Sequence, residues 1–122
     1  MAESVVDRLN VKTPGIESPL VQLSGGNQQK VVLGKNLQRE VSVLVMDNVT
    51  RGIDVGAKEE VYRILRQLAR DGVAMVFIAD ELPELIGMSN RIGVMHEGEM
   101  VDVLDAPPGD KPTESEIITE MI

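Results

Sequence analysis

The sequence predicts an α/β protein in which a parallel sheet is flanked by helices and finished by an antiparallel hairpin at a terminal edge. Two short apolar runs, residues 43–46 and 74–78, bracket a stretch of helical periodicity, the order expected of strand, crossover helix and parallel strand. Two later apolar runs meet across Glu97-Gly98, a dipeptide suited to a tight hairpin turn.

Taken in chain order, residues 1–22 contain Pro14-Gly15 and Ser18-Pro19, which break regular structure, so a short opening helix or arm is expected and then a loop. Leu23-Ser24-Gly25-Gly26 leads into a helix over 26–37, whose Val31, Val32, Leu33 and Leu37 form one packed face. Glu40-Val41 interrupts it. The first strand covers 42–46 and ends against Asp47, and its unbroken apolar character predicts burial on both faces. Gly52 and Gly56 frame a loop. From 57 to 70, Val61, Ile64, Leu65 and Leu68 recur at helical spacing while Lys58, Glu59, Glu60, Arg63, Arg66 and Arg70 cover the other side, and Asp71-Gly72 ends the helix. The second strand is 74–78. A short helix over 81–88 tolerates Pro83 in its first turn. Strands over 91–95 and 100–104 form the hairpin, Pro107-Pro108-Gly109 is a linker, and Thr113 caps a last helix with Glu116 at the capping-box position. No internal repeat is present. Tyr62 and Phe77 read as core residues, Met75, Met88, Met95 and Met100 as core filling, and His96 as a turn residue.

Composition narrows the class. With 122 residues, 43% hydrophobic and 26% charged, the chain has material for one modest core. No apolar stretch approaches the roughly 18 to 20 residues that span a bilayer. Met1-Ala2-Glu3-Ser4 lacks the basic and apolar regions of a signal peptide, and the absence of cysteine excludes disulfides and thiolate metal sites, which suits a cytosolic protein. The net charge of −8, with cations scattered singly and only 2% aromatics, argues against nucleic-acid binding, which needs clustered cations or stacking platforms.

The most informative stretch is Leu23-Ser24-Gly25-Gly26-Asn27-Gln28-Gln29-Lys30. A serine cap and two glycines opening a helix leave peptide N–H groups without helical partners, and their dipoles favour an anion such as phosphate, although the same pattern also serves a plain capped helix. An apolar strand follows and ends in Asp47, with Asn48-Val49-Thr50-Arg51-Gly52-Ile53-Asp54 behind it. A carboxylate at the C-terminal edge of a parallel strand is where open sheets place ligand chemistry.

From Val11-Lys12-Thr13-Pro14 to Arg91-Ile92-Gly93-Val94-Met95-His96-Glu97-Gly98, through LSGGNQQK and TRGIDVGAK, the chain resembles the ATP-binding-cassette (ABC) ATPases. Within them it resembles the C-terminal part of the second cassette in the tandem-cassette subunits of bacterial ribose/galactose-type monosaccharide importers. The resemblance implies a partial P-loop NTPase-like fold, with residues 1–22 an arm and loop from the helical subdomain, 23–106 the C-terminal half of a nucleotide-binding domain, and 107–122 a linker and helix. No GxxxxGK[ST] phosphate loop occurs, and Gly34-Lys35 is not one. In the family that loop lies upstream, so an N-terminal half is expected outside this chain, leaving apolar sheet surface exposed.

By the resemblance, Ser24, Gly25, Gly26 and Asn27 would touch, in trans, the γ-phosphate of ATP held by another cassette. Asp47 would hold Mg²⁺ through water, only with the other half present. Asp54 matches the D-loop aspartate that couples the two sites, and it also suits an N-cap for the helix that follows. The sequence departs from the family at two places. Asn48 stands where the general-base glutamate belongs, and an amide cannot accept a proton from water. Asp80 stands where most cassettes carry a histidine that senses phosphate, and a carboxylate there repels one. Implied partners are the N-terminal half, the second cassette, the permease subunits and a sugar-binding protein, at the cytoplasmic face of the membrane. The chain alone is expected to hydrolyse no ATP and to bind neither ATP nor Mg²⁺ tightly. The alternative is a non-catalytic, degenerate cassette acting as an interaction domain.

Overall fold

The fold is given by a computed structural model that describes residues 2–37 and 39–122. In order, the elements are α1 (Ala2–Arg8), a 3₁₀ turn (Leu20–Gln22), α2 (Gly25–Leu37), β1 (Val43–Asp47), α3 (Val55–Arg70), β2 (Ala74–Ile78), α4 (Leu82–Met88), β3 (Arg91–His96), β4 (Glu99–Asp105) and α5 (Glu114–Met121). β1 and β2 pair in parallel around the α3 crossover, and β3 and β4 form a two-stranded antiparallel sheet of their own. The described chain divides into two compact units at Val76/Phe77, inside β2.

In the first unit, α3 buries Val61, Tyr62, Leu65 and Leu68, positions that fall on one face of a 3.6-residue helix, while Glu59, Arg63, Arg66 and Arg70 remain in solvent. Its N-terminus is capped by the Asp54 carboxylate, which accepts the Ala57 N–H at 2.8 Å. Because the cap sits at Asp54, the helix begins at Val55, earlier than the position 57 expected from periodicity. At its other end Gly72, at φ 95°, lets the chain turn, with the Gly72 N–H on the Ala69 carbonyl and the Val73 N–H on that of Leu68. Residue 74 then donates to the Ser42 carbonyl and sets β2 beside β1.

Helix α2 lies against both α1 and α3. A methyl group at Gly34 would meet Val5 Cγ1 at 2.2 Å, and one at Gly26 would meet Ala57 Cβ at 2.4 Å, so both contacts use the missing side chain. Leu9, Val11, Leu33 and Met46 complete the buried apolar residues of this unit.

Of the two expectations for this sheet, burial of β1 on both faces fails and exposed apolar sheet surface is found. β1 is not buried on both faces: Met46 is inside, but Val43 and Val45 are 59% and 66% exposed, and Val76 and Ile78 of β2 also lie open. Val43 and Val45 alternate along β1 and share its outward pleat, and Val76 and Ile78 do the same on β2.

In the second unit, Ile92 and Val94 of β3, Ala106 and Ile117 form a buried cluster that Leu82, Leu85, Ile86 and Leu104 pack against. The hairpin turns at Glu97 and Gly98, at φ 48° and 84°, the two positive values that a type I′ turn requires. A bulge between Val94 and Met95 shifts the register, after which Met95 faces Met100 and His96 faces Glu99. Met95 and Met100 are therefore not core filling. Both are 58% exposed on the outer face, where the Met100 sulfur lies over Gly93. The Lys111 ammonium binds the Ser89 and Ala106 carbonyls at 2.6 and 2.7 Å, tying the linker to the hairpin. The capping box at α5 forms as expected. Glu116 N–H donates to Thr113 Oγ1 at 3.2 Å, and Thr113 N–H donates to Glu116 Oε2 at 2.6 Å.

Two tests follow from this packing. Gly26→Ala replaces a poor helix former by the best, a gain of nearly 1 kcal/mol on propensity alone. Ala57 Cβ cannot rotate away, so the expected result is instead a loss of about 1–3 kcal/mol in urea unfolding, and a gain would contradict the close approach. At α5, the two Thr113 donors hold the Glu116 carboxyl below the usual glutamate range. A depressed carboxylate stabilises the fold above its unfolded pKa, about 4.3, and loses that contribution only as pH falls through the lower folded value. In wild type the Glu116 resonance should therefore titrate below that of an ordinary glutamate, and in Thr113→Ala it should return toward it.

Candidate functional site

The start of α2 is held by hydrogen bonds within the chain. Ser24 Oγ accepts the Asn27 side-chain Nδ2–H at 2.8 Å and, more weakly, the Asn27 backbone N–H at 3.4 Å. A hydroxyl has two acceptor sites and one proton, so with both acceptor sites used the Ser24 O–H is left as a donor. Asn27 Oδ1 accepts the Lys12 backbone N–H at 2.8 Å, so this one amide ties the loop after α1 to Ser24. Gln28 secures the same turn from the other side, its Nε2–H on the Leu23 carbonyl at 2.9 Å.

Ser24 and Gly25 are exposed, whereas Gly26 is buried under Ala57. A methyl on Gly25 would lie 3.0 Å from Ile53 Cγ2. The glycines thus do two jobs, with Gly25 giving an open approach to the helix start and Gly26 letting α2 reach α3. The structure brings the 24–27 turn beside the loop that ends in Asp54. Of the two readings of Asp54, the N-cap is the contact observed.

Asp47 is the last residue of β1 and its carboxylate is exposed. Its Oδ1 accepts Asn48 Nδ2–H at 3.0 Å. Asn48 has φ 50°, a left-handed conformation that asparagine tolerates better than most residues. The chain then turns through Arg51 N–H on the Asn48 carbonyl at 3.1 Å, and Thr50 is buried. A single exposed carboxylate fits a magnesium ion that keeps most of its waters, and among the described residues no group of three His, Cys, Asp or Glu could complete a metal site. Asp80 follows β2 in the second unit and is exposed. His96 is exposed at the end of β3, just before the hairpin turn. A hollow of about 460 Å³ in the second unit is lined by Asp105, Asp110, Glu116 and Glu120 with one cation, Lys111, a charge balance that disfavours an anion.

One residue of this region was given no role at the level of sequence, and one was given a different role. Lys30 is 2% exposed, its ammonium paired with Glu60 and hydrogen-bonded to the Asn10 carbonyl at 3.0 Å. Its place in LSGGNQQK, four residues after Gly26 and so on the same helix face, is the signal that pointed to it. For Asn27, nothing in the sequence distinguishes a side chain that faces a ligand from one committed to its own turn.

No protein-family model matches the sequence. The chain is 49% identical over 110 residues to an ATP-binding protein of Hahella chejuensis named for ribose/galactose/methyl galactoside import, covering 90% of this chain and 21% of that protein. It is 45% identical over 118 residues to the ribose import ATP-binding protein RbsA of the same organism, covering 97% and 23%. It therefore spans about a fifth of the length of these curated relatives. Among solved structures, a nucleotide-free ATP-binding cassette from an ABC transporter superposes with a TM-score of 0.79 at 20% identity over 97% of this chain and 44% of that one. The cassette MJ0796, in a dimeric post-hydrolysis state bound to ADP and Pi, superposes at 0.73 and 21% identity over 85% and 45%. Among the described residues no helix is long and apolar enough to cross a membrane. The chain thus has the fold of part of an ABC ATPase cassette, and its homologues are bacterial sugar-import ATP-binding proteins.

Proposed function

We propose that this chain is the C-terminal part of the second cassette of a bacterial monosaccharide importer's ATPase subunit, and that it presents half of an ATP site to a nucleotide gripped by another polypeptide segment. The observation that carries this reading is the pair of Asn27 donors on the Ser24 oxygen, which leaves the hydroxyl proton available to an acceptor at a helix start whose dipole favours an anion. A phosphate oxygen meets that requirement, and Gly25 leaves the approach open. Asn27 serves the same site by holding Ser24.

Nothing in the chain supplies the remaining grip. The phosphate loop is absent from the sequence, and a net charge of −8 gives no general attraction for a triphosphate. Mg²⁺, when bound in the complete site, supplies charge neutralisation at the phosphates. Asp47 would hold it through water, sharing its carboxylate with the Asn48 amide. Asn48 can orient a water but cannot take its proton. Asn48 and Asp80 each depart from what a hydrolysing site needs, the one lacking a base and the other carrying a negative charge where the resemblance puts a phosphate sensor.

The open apolar residues Val43, Val45 and Val76 support an N-terminal half as the first partner, because strands of this composition are ordinarily covered on both sides. The second cassette, the permease subunits and a sugar-binding protein follow as partners of the complete subunit, which would lie at the cytoplasmic face of the membrane.

Two measurements test this. The 122-residue chain should turn over no ATP and bind Mg-ATP no tighter than about millimolar by calorimetry, and a micromolar Kd would overturn the half-site reading. In the complete ATP-binding protein, Ser24→Ala should lower ATP turnover by roughly 10- to 100-fold. Ser24→Thr, which restores the hydroxyl, should recover most of it, and wild-type turnover in Ser24→Ala would remove Ser24 from the site.

A further inference from the structure

Among the described residues Lys30 is the largest fully buried side chain, and a lysine is almost never buried without a partner that needs it there. Its ammonium meets Glu60 of α3 and the carbonyl of Asn10, which ends the α1 segment in a left-handed conformation at φ 51°. Glu60 is 32% exposed, so the pair is closed on the α2 side and open on the other.

The position of this pair matters more than its strength. Lys30 lies four residues beyond Gly26 on α2, and Glu60 lies three residues beyond Ala57 on α3. Spacings of three and four keep side chains on one helix face, so Gly26 on Ala57 and Lys30 on Glu60 are successive contacts along a single seam. One contact between two helices leaves a pivot, and two fix the angle. The seam begins next to both site loops, since Gly25 opens one and packs beside Ile53 of the other, and Asp54 caps α3 one turn before Ala57.

We propose that Lys30 is a positioning residue, clamping α2 to α3 through Glu60 and Asn10 so that the turn 24–27 and the loop ending in Asp54 move as one body. An apolar side chain would fill the same volume but would not select this register. The consequence for ATP chemistry rests on the reading of Ser24 given above, whereas the mechanical coupling does not.

The charged groups facing Glu60 are Lys30, Lys12 and Arg63, all cations across the acid range, and Lys30's hydrogen bond is the main reason its carboxyl lies below the usual glutamate range. Acid therefore releases the clamp by protonating Glu60. The test follows the backbone amides of 24–27 and 54–57 by NMR from pH 7 to 3 in the 122-residue chain, with the Glu60 side-chain carboxyl carbon read in parallel. Both loops should show a step at the Glu60 midpoint. In E60Q that shared step should be lost from both. K30R should retain it. At pH 7, K30M and E60Q should displace both loops in the same direction, with the double variant no worse than either alone.

A merely structural lysine would alter stability without linking the two loops to the Glu60 titration. The proposal fails if the 24–27 amides ignore that titration in the folded protein, or if E60Q leaves both loops at their wild-type shifts. If K30M does not fold, E60Q and K30R decide the matter. No nucleotide enters the experiment, so its failure leaves the Ser24 reading intact, and an inert Ser24→Ala leaves the clamp intact.

Discussion

The approach of α2 to α3 at Gly26 and Ala57 is the constraint from which the rest of the first unit follows. It requires a residue without a side chain at 26, because Ala57 Cβ already occupies the space, and it sets where the turn 24–27 stands. Asn27 then fixes the Ser24 hydroxyl within that turn and anchors it to Lys12. Asp54 caps α3 at the same end of the seam. Each local choice supports the same placement, which is how a short segment acquires a defined geometry without a large core.

Much of this was legible in the sequence because the elements announce themselves through local chemistry. The periodicity of α3, the Glu97-Gly98 turn and the Thr113–Glu116 box depend on residues close together in the chain, and each forms where expected. The start of α3 moved because the Asp54 cap outranked periodicity, whereas the ends of α2, β1, β3 and β4 moved by single residues. The exposure of Val43 and Val45 was not legible in their composition, since an apolar run records that a face needs cover but not where the cover is encoded; it was expected only from the missing phosphate loop. The outward Met95 follows plain alternation with the buried Ile92 and Val94, whereas Met100 faces out because the bulge opposite Val94 alters the register of β4. The residues of the proposed site were legible in the sequence, but not the bonds that they make. Ser24 and Asp47 are visible as types, whereas the commitment of Asn27 to its own turn and the burial of Lys30 arise from contacts across the fold.

Half a phosphate site is physically reasonable on these terms. A hydroxyl donor and one or two free amides at a helix start gain only modest energy from an anion that water already solvates well, and a chain of net charge −8 adds repulsion at longer range. Such a site becomes effective when the anion is held in place and water is excluded, because fixed donors then act without reorganising. The demand on this chain is therefore precision of placement instead of intrinsic affinity. That is the property a two-point seam supplies and a single helix N-terminus does not.

The Asp47-Asn48 pair carries the same logic to the end of β1. The left-handed backbone at Asn48 directs its amide back onto the Asp47 carboxylate, a conformation that asparagine adopts at low cost. A glutamate at 48 would have no N–H to offer Asp47, would set a second negative charge beside the first, and would carry a longer side chain in the same strained backbone region. Both the charge pattern and the backbone thus suit an amide at this position. The edge of the strand is arranged to hold one carboxylate and orient a neighbour by hydrogen bonding, and removing a proton from water would require a group that neither residue supplies.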